Sequence, residues 1–159
     1  MKPPPELVAD TVRRLVGSRW PTAADRAAWF AEHDITPNEP LGAFSSWGTG
    51  IEGWGDAATC WSVVGDDVVG VGWFLWPFDP RAAQAAARLN EQLTAAFGEP
   101  RQRSDGDMGW LEWEQDETVV EFSAGTEEDP RVQLHVVDAR HVVEGTLGEC
   151  ATEDGPGSC

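Results

Sequence analysis

The stretch DPRAAQAAARLNEQLTAAFG, residues 79–98, decides the fold of this chain. Asp79 can cap a helix, Pro80 suits the first helical position, and Gly98 can stop the helix after Phe97. Between these ends the apolar residues recur at helical spacing. They predict one buried stripe, made of Ala82, Ala86, Leu89, Leu93 and Phe97. This helix separates two blocks of alternating apolar residues, which is the pattern of β-strands.

The block before the central helix predicts a β-hairpin. Residues 58–64 and 68–76 are rich in valine and tryptophan, and Gly65-Asp66-Asp67 supplies a turn between them. Residues 43–48 are a candidate for an additional strand. We therefore expect about three strands on this side of the central helix.

Two amphipathic segments precede the hairpin and predict helices. The first covers residues 5–17, begins at Pro5 and ends at Gly17. The second covers residues 22–33, with Thr22 as its expected N-cap. Both helices are expected to pack on the sheet.

The block after the central helix predicts about three more strands. Leu111 and Trp113 would share one face of a strand, with Trp110 and Glu112 on the other. Val120 and Phe122 would share a face of the next strand, and residues 132–136 predict the last strand. The predicted order is ααβββαβββ, an α+β domain over residues 1–143 with an antiparallel sheet of about six strands and its helices on one face.

Residues 144–159 differ from the rest in composition and predict a flexible acidic tail. Leu147 is their one large apolar residue, so they cannot bury enough surface to offset the entropy of ordering. Some side chains there are of the types that dehydration and thioether chemistry modify in ribosomally made peptides. They are Thr146, Cys150, Thr152, Ser158 and Cys159. A folded precursor with a modified tail is therefore one alternative function.

The charge balance narrows the choice of partner. The chain has 11 basic and 28 acidic residues, a net charge of -17 and a pI near 4.3. Such a surface repels a phosphate backbone and attracts a basic protein. The sequence contains neither an apolar run long enough for a membrane span nor the pattern of a signal peptide. We therefore expect a cytoplasmic protein that binds a basic protein, and neither nucleic acid nor a membrane.

Nine tryptophans and no tyrosine predict that some indole rings are exposed as binding anchors. The best candidates are Trp47 and Trp54, which share a glycine-rich loop with Glu52 and Asp56. The alternative is that both rings cover the open edge of the sheet. A second candidate patch for the partner is acidic, with Glu127, Glu128 and Asp129.

Motifs of enzymes and metal sites give little support to a catalytic function. No nucleophile elbow, His-Glu-x-x-His helix or Walker loop is present, and three cysteines do not form a disulfide framework. His135 and Asp138 would lie on opposite faces of a strand, which disfavours a metal site. We expect no metal and no cofactor. The carboxylate pair Glu112 and Glu114, among many others, keeps a carboxylate-based hydrolase as an alternative.

The order of landmarks resembles that of small uncharacterised actinobacterial proteins, some of which look like immunity proteins of polymorphic toxin systems. The resemblance rests on Arg19-Trp20-Pro21, Phe97-Gly98-Glu99-Pro100, Trp110-Leu111-Glu112-Trp113 and a valine-rich closing strand, and it covers residues 1–143. It implies a non-enzymatic immunity or inhibitor protein and assigns no functional residue.

Overall fold

The computed structural model describes residues 2–36, 50–51, 54, 58–64, 67–77, 79–105, 108–125 and 131–142. The first half of the chain forms helices α1 (Pro5–Val16) and α2 (Arg26–Glu32), followed by strands β1 (Ile35–Thr36), β2 (Gly50–Ile51), β3 (Ala58–Val64) and β4 (Asp67–Leu75). The second half forms helix α3 (Ala82–Phe97) and strands β5 (Arg101–Asp105), β6 (Met108–Gln115), β7 (Thr118–Ala124) and β8 (Val132–Asp138). A 3-10 turn, Ala139–His141, follows β8.

Six strands form the main sheet in the order β3-β4-β8-β7-β6-β5, and every neighbouring pair is antiparallel. The last strand, β8, thus inserts between β4 and β7 and joins the two halves of the chain. Strands β1 and β2 form a separate antiparallel pair. The α+β class is confirmed.

The predicted element order was wrong, because the described residues form four strands and not three on each side of α3. Strand β5 reads RQRSD and has no apolar alternation, which suits an exposed edge of a sheet but hides the strand from sequence analysis. Strands β1 and β2 have two residues each, too few to show a period. The candidate strand at residues 43–48 lies outside the described residues, as does the tail, residues 144–159.

The hydrophobic core lies between the helices and one face of the main sheet. Helices α1 and α3 contact each other and strand β7. The sheet contributes the alternate residues Val71, Trp73 and Leu75 of β4, with Val120 and Phe122 of β7. The predicted stripe of α3 is buried except for Phe97, which is half-buried. Within the described residues, no helix has the length and apolarity that crossing a membrane requires.

Two helices begin later than predicted because their expected caps make other contacts. The Thr22 hydroxyl donates to the Asp25 carboxylate at 2.8 Å, so α2 begins at Arg26. The Asp79 carboxylate accepts from the backbone N–H and the guanidinium of Arg81, which lowers the pKa of Asp79 to about 2. Residues 79–81 therefore form a turn, and α3 begins at Ala82.

Gly98 ends α3 in a backbone conformation that side chains disfavour. Its φ is 88° and its ψ is -169°, a region occupied almost only by glycine. A Cβ atom there would meet no atom within 4 Å, so any cost of a substitution comes from the backbone and not from a clash.

We expect Gly98→Ala to lower the free energy of unfolding by about 1–3 kcal/mol, since alanine must adopt this strained conformation. Urea denaturation measures the loss. Gly17→Ala is the matched control, because Gly17 follows α1 with a φ of -78° that alanine adopts readily. Equal losses for the two variants would contradict the explanation by strain.

Candidate functional site

A row of polar side chains crosses the main sheet on the face opposite the helices. The strand register places Arg101 of β5 opposite Glu112 of β6, Glu112 opposite Glu121 of β7, and Glu121 opposite His135 of β8. Gly72 of β4 continues the row beyond His135. Because side chains alternate between faces, all of these residues lie on the face opposite to that of Trp113 and Val120. We call the four side chains from Arg101 to His135 the polar row.

The polar row contains two carboxylates that are almost completely buried. The side chain of Glu112 is 3% exposed and that of Glu121 is 1% exposed. Burying a carboxylate is unfavourable unless it is paired, and like charges directly opposite each other destabilise a sheet. Arrangements that cost stability, such as these facing carboxylates, occur most often at sites where a protein binds or catalyses. The row is therefore the best candidate for a functional site among the described residues.

Each buried carboxylate has a basic or titratable neighbour. Glu112 forms an ion pair with the guanidinium of Arg101, which also lies 3.3 Å from the exposed carboxylate of Glu114. Glu121 Oε2 lies 3.6 Å from His135 Nδ1, and the His135 ring packs 5.5 Å from that of Trp110. Arg101 is 67% exposed, so one end of the row reaches solvent.

The exposed end of the row opens into a shallow pocket of about 180 Å³. Its lining residues are Phe97, Glu99, Arg101, Glu112, Trp113, Glu114 and Gln115. Two hydrogen bonds fix the end of α3 to strand β6 beside it: Trp113 Nε1 donates to the Gly98 carbonyl at 2.8 Å, and Gln115 Nε2 donates to that of Phe97 at 3.1 Å. The pocket is smaller than the roughly 300–1,000 Å³ typical of small-molecule sites. It suits a single side chain of a partner better than a metabolite.

We expect Arg101→Gln to lower the free energy of unfolding by about 1–2 kcal/mol, because it leaves the buried Glu112 carboxylate without this guanidinium. Adding Glu112→Gln should recover part of that loss. The double-mutant cycle by urea denaturation gives the coupling between the two side chains. Arg13→Gln is the control, since Arg13 pairs at 2.7 Å with Asp10 and both are exposed; we expect about 0.5 kcal/mol or less. A loss at Arg101 no larger than this would contradict the assigned ion pair.

Of the predicted partner-binding residues, Trp54 is the one that the structure describes, and the expectation that its ring is exposed was wrong. Trp54 is 1% exposed and packs against Trp73 with ring centroids 5.2 Å apart. The remaining predicted residues lie outside the described part of the chain. They are Trp47, Glu52, Asp56, Glu127, Glu128 and Asp129 for the partner, and Thr146, Cys150, Thr152, Ser158 and Cys159 for modification.

More of the tryptophans are buried in the core than their number led us to expect. Among the residues whose burial the structure describes, all seven tryptophans are at most 5% exposed, namely Trp20, Trp29, Trp54, Trp73, Trp76, Trp110 and Trp113. For several of these rings, a hydrogen bond from the N–H group offsets part of the cost of burial. Trp76, for example, donates to the carbonyl of Pro3 at 2.7 Å, and Trp20 donates to the Thr118 hydroxyl at 3.1 Å.

The two residues considered as metal ligands, His135 and Asp138, do not converge. His135 belongs to the polar row, whereas Asp138 faces the Thr118 side of the sheet and pairs with Arg140 at 2.6 Å. Burial acts to raise the pKa of Asp138, but the hydrogen bonds from Arg140 outweigh it and hold that pKa below its ordinary value. No group of three or more metal-binding side chains occurs within the described residues.

Sequence analysis missed Arg101, Glu121 and the burial of Glu112. The alternation in β6 did predict that Glu112 and Trp113 lie on opposite faces of the strand, as observed. A carboxylate on an otherwise apolar strand was the available signal, and Glu121 between Val120 and Phe122 shows it most clearly.

Comparison with known proteins gives information on the fold. No family model matches the chain, and no curated protein matches it. The chain is similar in structure to a DUF4309 family protein (YjgB) from Bacillus subtilis subsp. subtilis str. 168, with a TM-score of 0.52 and 15% sequence identity. The match covers 84% of this chain and 97% of that one. At this identity the similarity between the two proteins concerns their fold alone.

Proposed function

We propose that this protein is a non-enzymatic acidic binding protein of the cytoplasm that docks on a basic surface of another protein. The specific form we propose is an immunity or inhibitor protein that neutralises a basic toxin by covering it. Electrostatic complementarity speeds the encounter with such a partner and disfavours partners of the wrong charge.

The distribution of charge along the chain supports this role. Among the described residues, exposed carboxylates gather around the β6–β7 turn and the end of α3. They are Glu99, Glu114, Asp116 and Glu117. We call these four residues the acidic end of the sheet.

The single observation that carries the proposal is the arrangement around Arg101. One guanidinium pairs with both Glu112 and Glu114, and Glu99 lines the same pocket. Among the described residues that line this pocket, carboxylates outnumber basic side chains, which favours a cationic group of a partner there. Guanidinium groups bind carboxylates in well-defined geometry, so a partner's arginine fits the chemistry of this end of the sheet.

The hydrolase alternative has less support from the geometry. Two carboxylates do face each other on neighbouring strands, as a two-acid mechanism needs. Both must also reach the substrate, and Glu121 is 1% exposed. The alternative of a modified tail depends on residues outside the described part of the chain.

Co-expression with the product of the neighbouring gene tests the proposal. We expect a stable complex on copurification and recovery of growth when that product is toxic. The control is a variant of the protein with Glu99, Glu114, Asp116 and Glu117 changed to lysine, which should neither bind nor protect. Growth recovery by this variant, or turnover of a metabolite by the wild-type protein, would contradict the proposal.

A further inference from the structure

His33 is a buried titratable group that the proposed function does not use. It follows directly after α2, is 3% exposed, and its ring centroid lies 4.6 Å from that of Trp29. Neither ring nitrogen has a hydrogen-bond partner among the described residues. A neutral imidazole carries one donor and one acceptor, and the charged form carries two donors. Within the described part of the chain, an added proton on this ring thus finds no acceptor.

The charged groups around His33 shift its pKa in both directions. Burial is the largest influence and lowers the pKa of His33 from its ordinary 6.5. Glu32 at the end of α2 and Asp34 before β1 act to raise it, and Arg14 of α1 acts to lower it further. Arg14 also lies 3.4 Å from the Asp34 carboxylate, so part of that carboxylate's effect is already neutralised.

The contacts of His33 lead from α2 to the main sheet through two tryptophans. Trp29 stacks on Trp20 with ring centroids 5.6 Å apart and donates its indole N–H to the Ser18 hydroxyl at 3.3 Å. Trp20 in turn donates to Thr118 of β7 at 3.1 Å. Helix α2 has seven residues, and its two buried side chains are Trp29 and Phe30, so the Trp20–Trp29 stack is a main part of its packing.

We propose that protonation of His33 opens the structure locally at α2. When the His33 ring is charged, the segment from α2 to β1 separates, with Trp29, from Trp20, while α1, α3 and the main sheet stay folded. The open form binds a proton with an ordinary affinity, and the packed form binds it more weakly. The packed form is therefore fully favoured above pH 6.5 and loses this advantage as the pH falls from 6.5 towards the lowered pKa of His33. Such local opening is a recognised low-energy motion of folded proteins.

Hydrogen exchange of the indole N–H groups tests the proposal in the full-length chain. Trp29 reports on the α2 contact, and Trp113, bound to the Gly98 carbonyl, reports on the main body. Because the open form binds the proton more tightly, we expect the protection of Trp29 relative to that of Trp113 to fall as the pH is lowered from about 7.5 to 5. Equal loss of protection at both indoles would overturn the proposal, because the opening would then be global.

Two variants separate His33 from the other titrating groups. His33→Phe keeps an aromatic ring that cannot take a proton, so the protection ratio should become independent of pH. His141→Gln, at a half-buried histidine after β8, should behave like the wild type. The same pH dependence in His33→Phe would overturn the proposal. If that variant does not fold, the titration of the His33 ring by NMR in the wild type decides, and a pKa of 6.5 or higher overturns it.

Discussion

Changing Glu99, Glu114 and Glu117 to glutamine should slow association with the basic partner by about tenfold or more at low salt. All three carboxylates are exposed at the acidic end of the sheet. Charges steer two proteins together before contact, and this steering raises association rates by about 10- to 1,000-fold. Stopped-flow measurement at about 0.01 M salt, where charges act over roughly 30 Å, gives the rate constant directly.

A second triple variant controls for net charge. Glu6, Glu32 and Glu91 lie on α1, α2 and α3 and are also exposed, so changing them to glutamine alters the net charge by the same amount. We expect this variant to associate within about threefold of the wild type, because its lost charges lie away from the docking surface. Equal slowing in both variants would show that the acidic end of the sheet is not where the partner docks.

Trp113→Ala should lower the free energy of unfolding by about 3–5 kcal/mol, the usual cost of truncating a buried tryptophan. The side chain is 2% exposed in the core and joins β6 to the end of α3 through the Gly98 carbonyl. Urea denaturation monitored by far-ultraviolet circular dichroism measures the loss. A loss below about 1.5 kcal/mol would contradict the packing assigned to this residue.

A comparison of two Trp→Phe variants isolates the contribution of the indole hydrogen bond. Trp73 is fully buried, and its indole N–H has no hydrogen-bond partner among the described residues, whereas that of Trp113 has the Gly98 carbonyl. Both variants lose a similar apolar volume. Trp113→Phe should therefore cost about 1 kcal/mol more than Trp73→Phe, because it alone breaks a hydrogen bond. Equal losses would mean that the bond contributes little.

Local signals were sufficient for the elements with a strong period of their own. The hairpin of β3 and β4 and the buried face of α3 follow from alternation, a turn and helical spacing, and the glycine after Phe97 ends the helix as predicted. Starts of helices were predicted less well, because Thr22 donates to Asp25 and Asp79 accepts the backbone N–H of Arg81 within turns that precede the helices.

The candidate site could not be predicted, because it depends on pairing between distant parts of the chain. Alternation assigned Glu112 to a face but could not tell that Glu121 and His135 would be its neighbours across the sheet. The error at Trp54 has the same origin. Its glycine-rich, acidic surroundings favoured an exposed ring, whereas in the structure the ring packs against Trp73 of β4.

The salt dependence of association tests the central claim most directly, namely that negative potential brings this protein to its partner. The account predicts that the association rate constant of the wild-type chain with the basic partner falls at least tenfold between about 0.01 and 0.5 M salt, with little change in the dissociation rate. An association rate constant that stays the same over this range would contradict it.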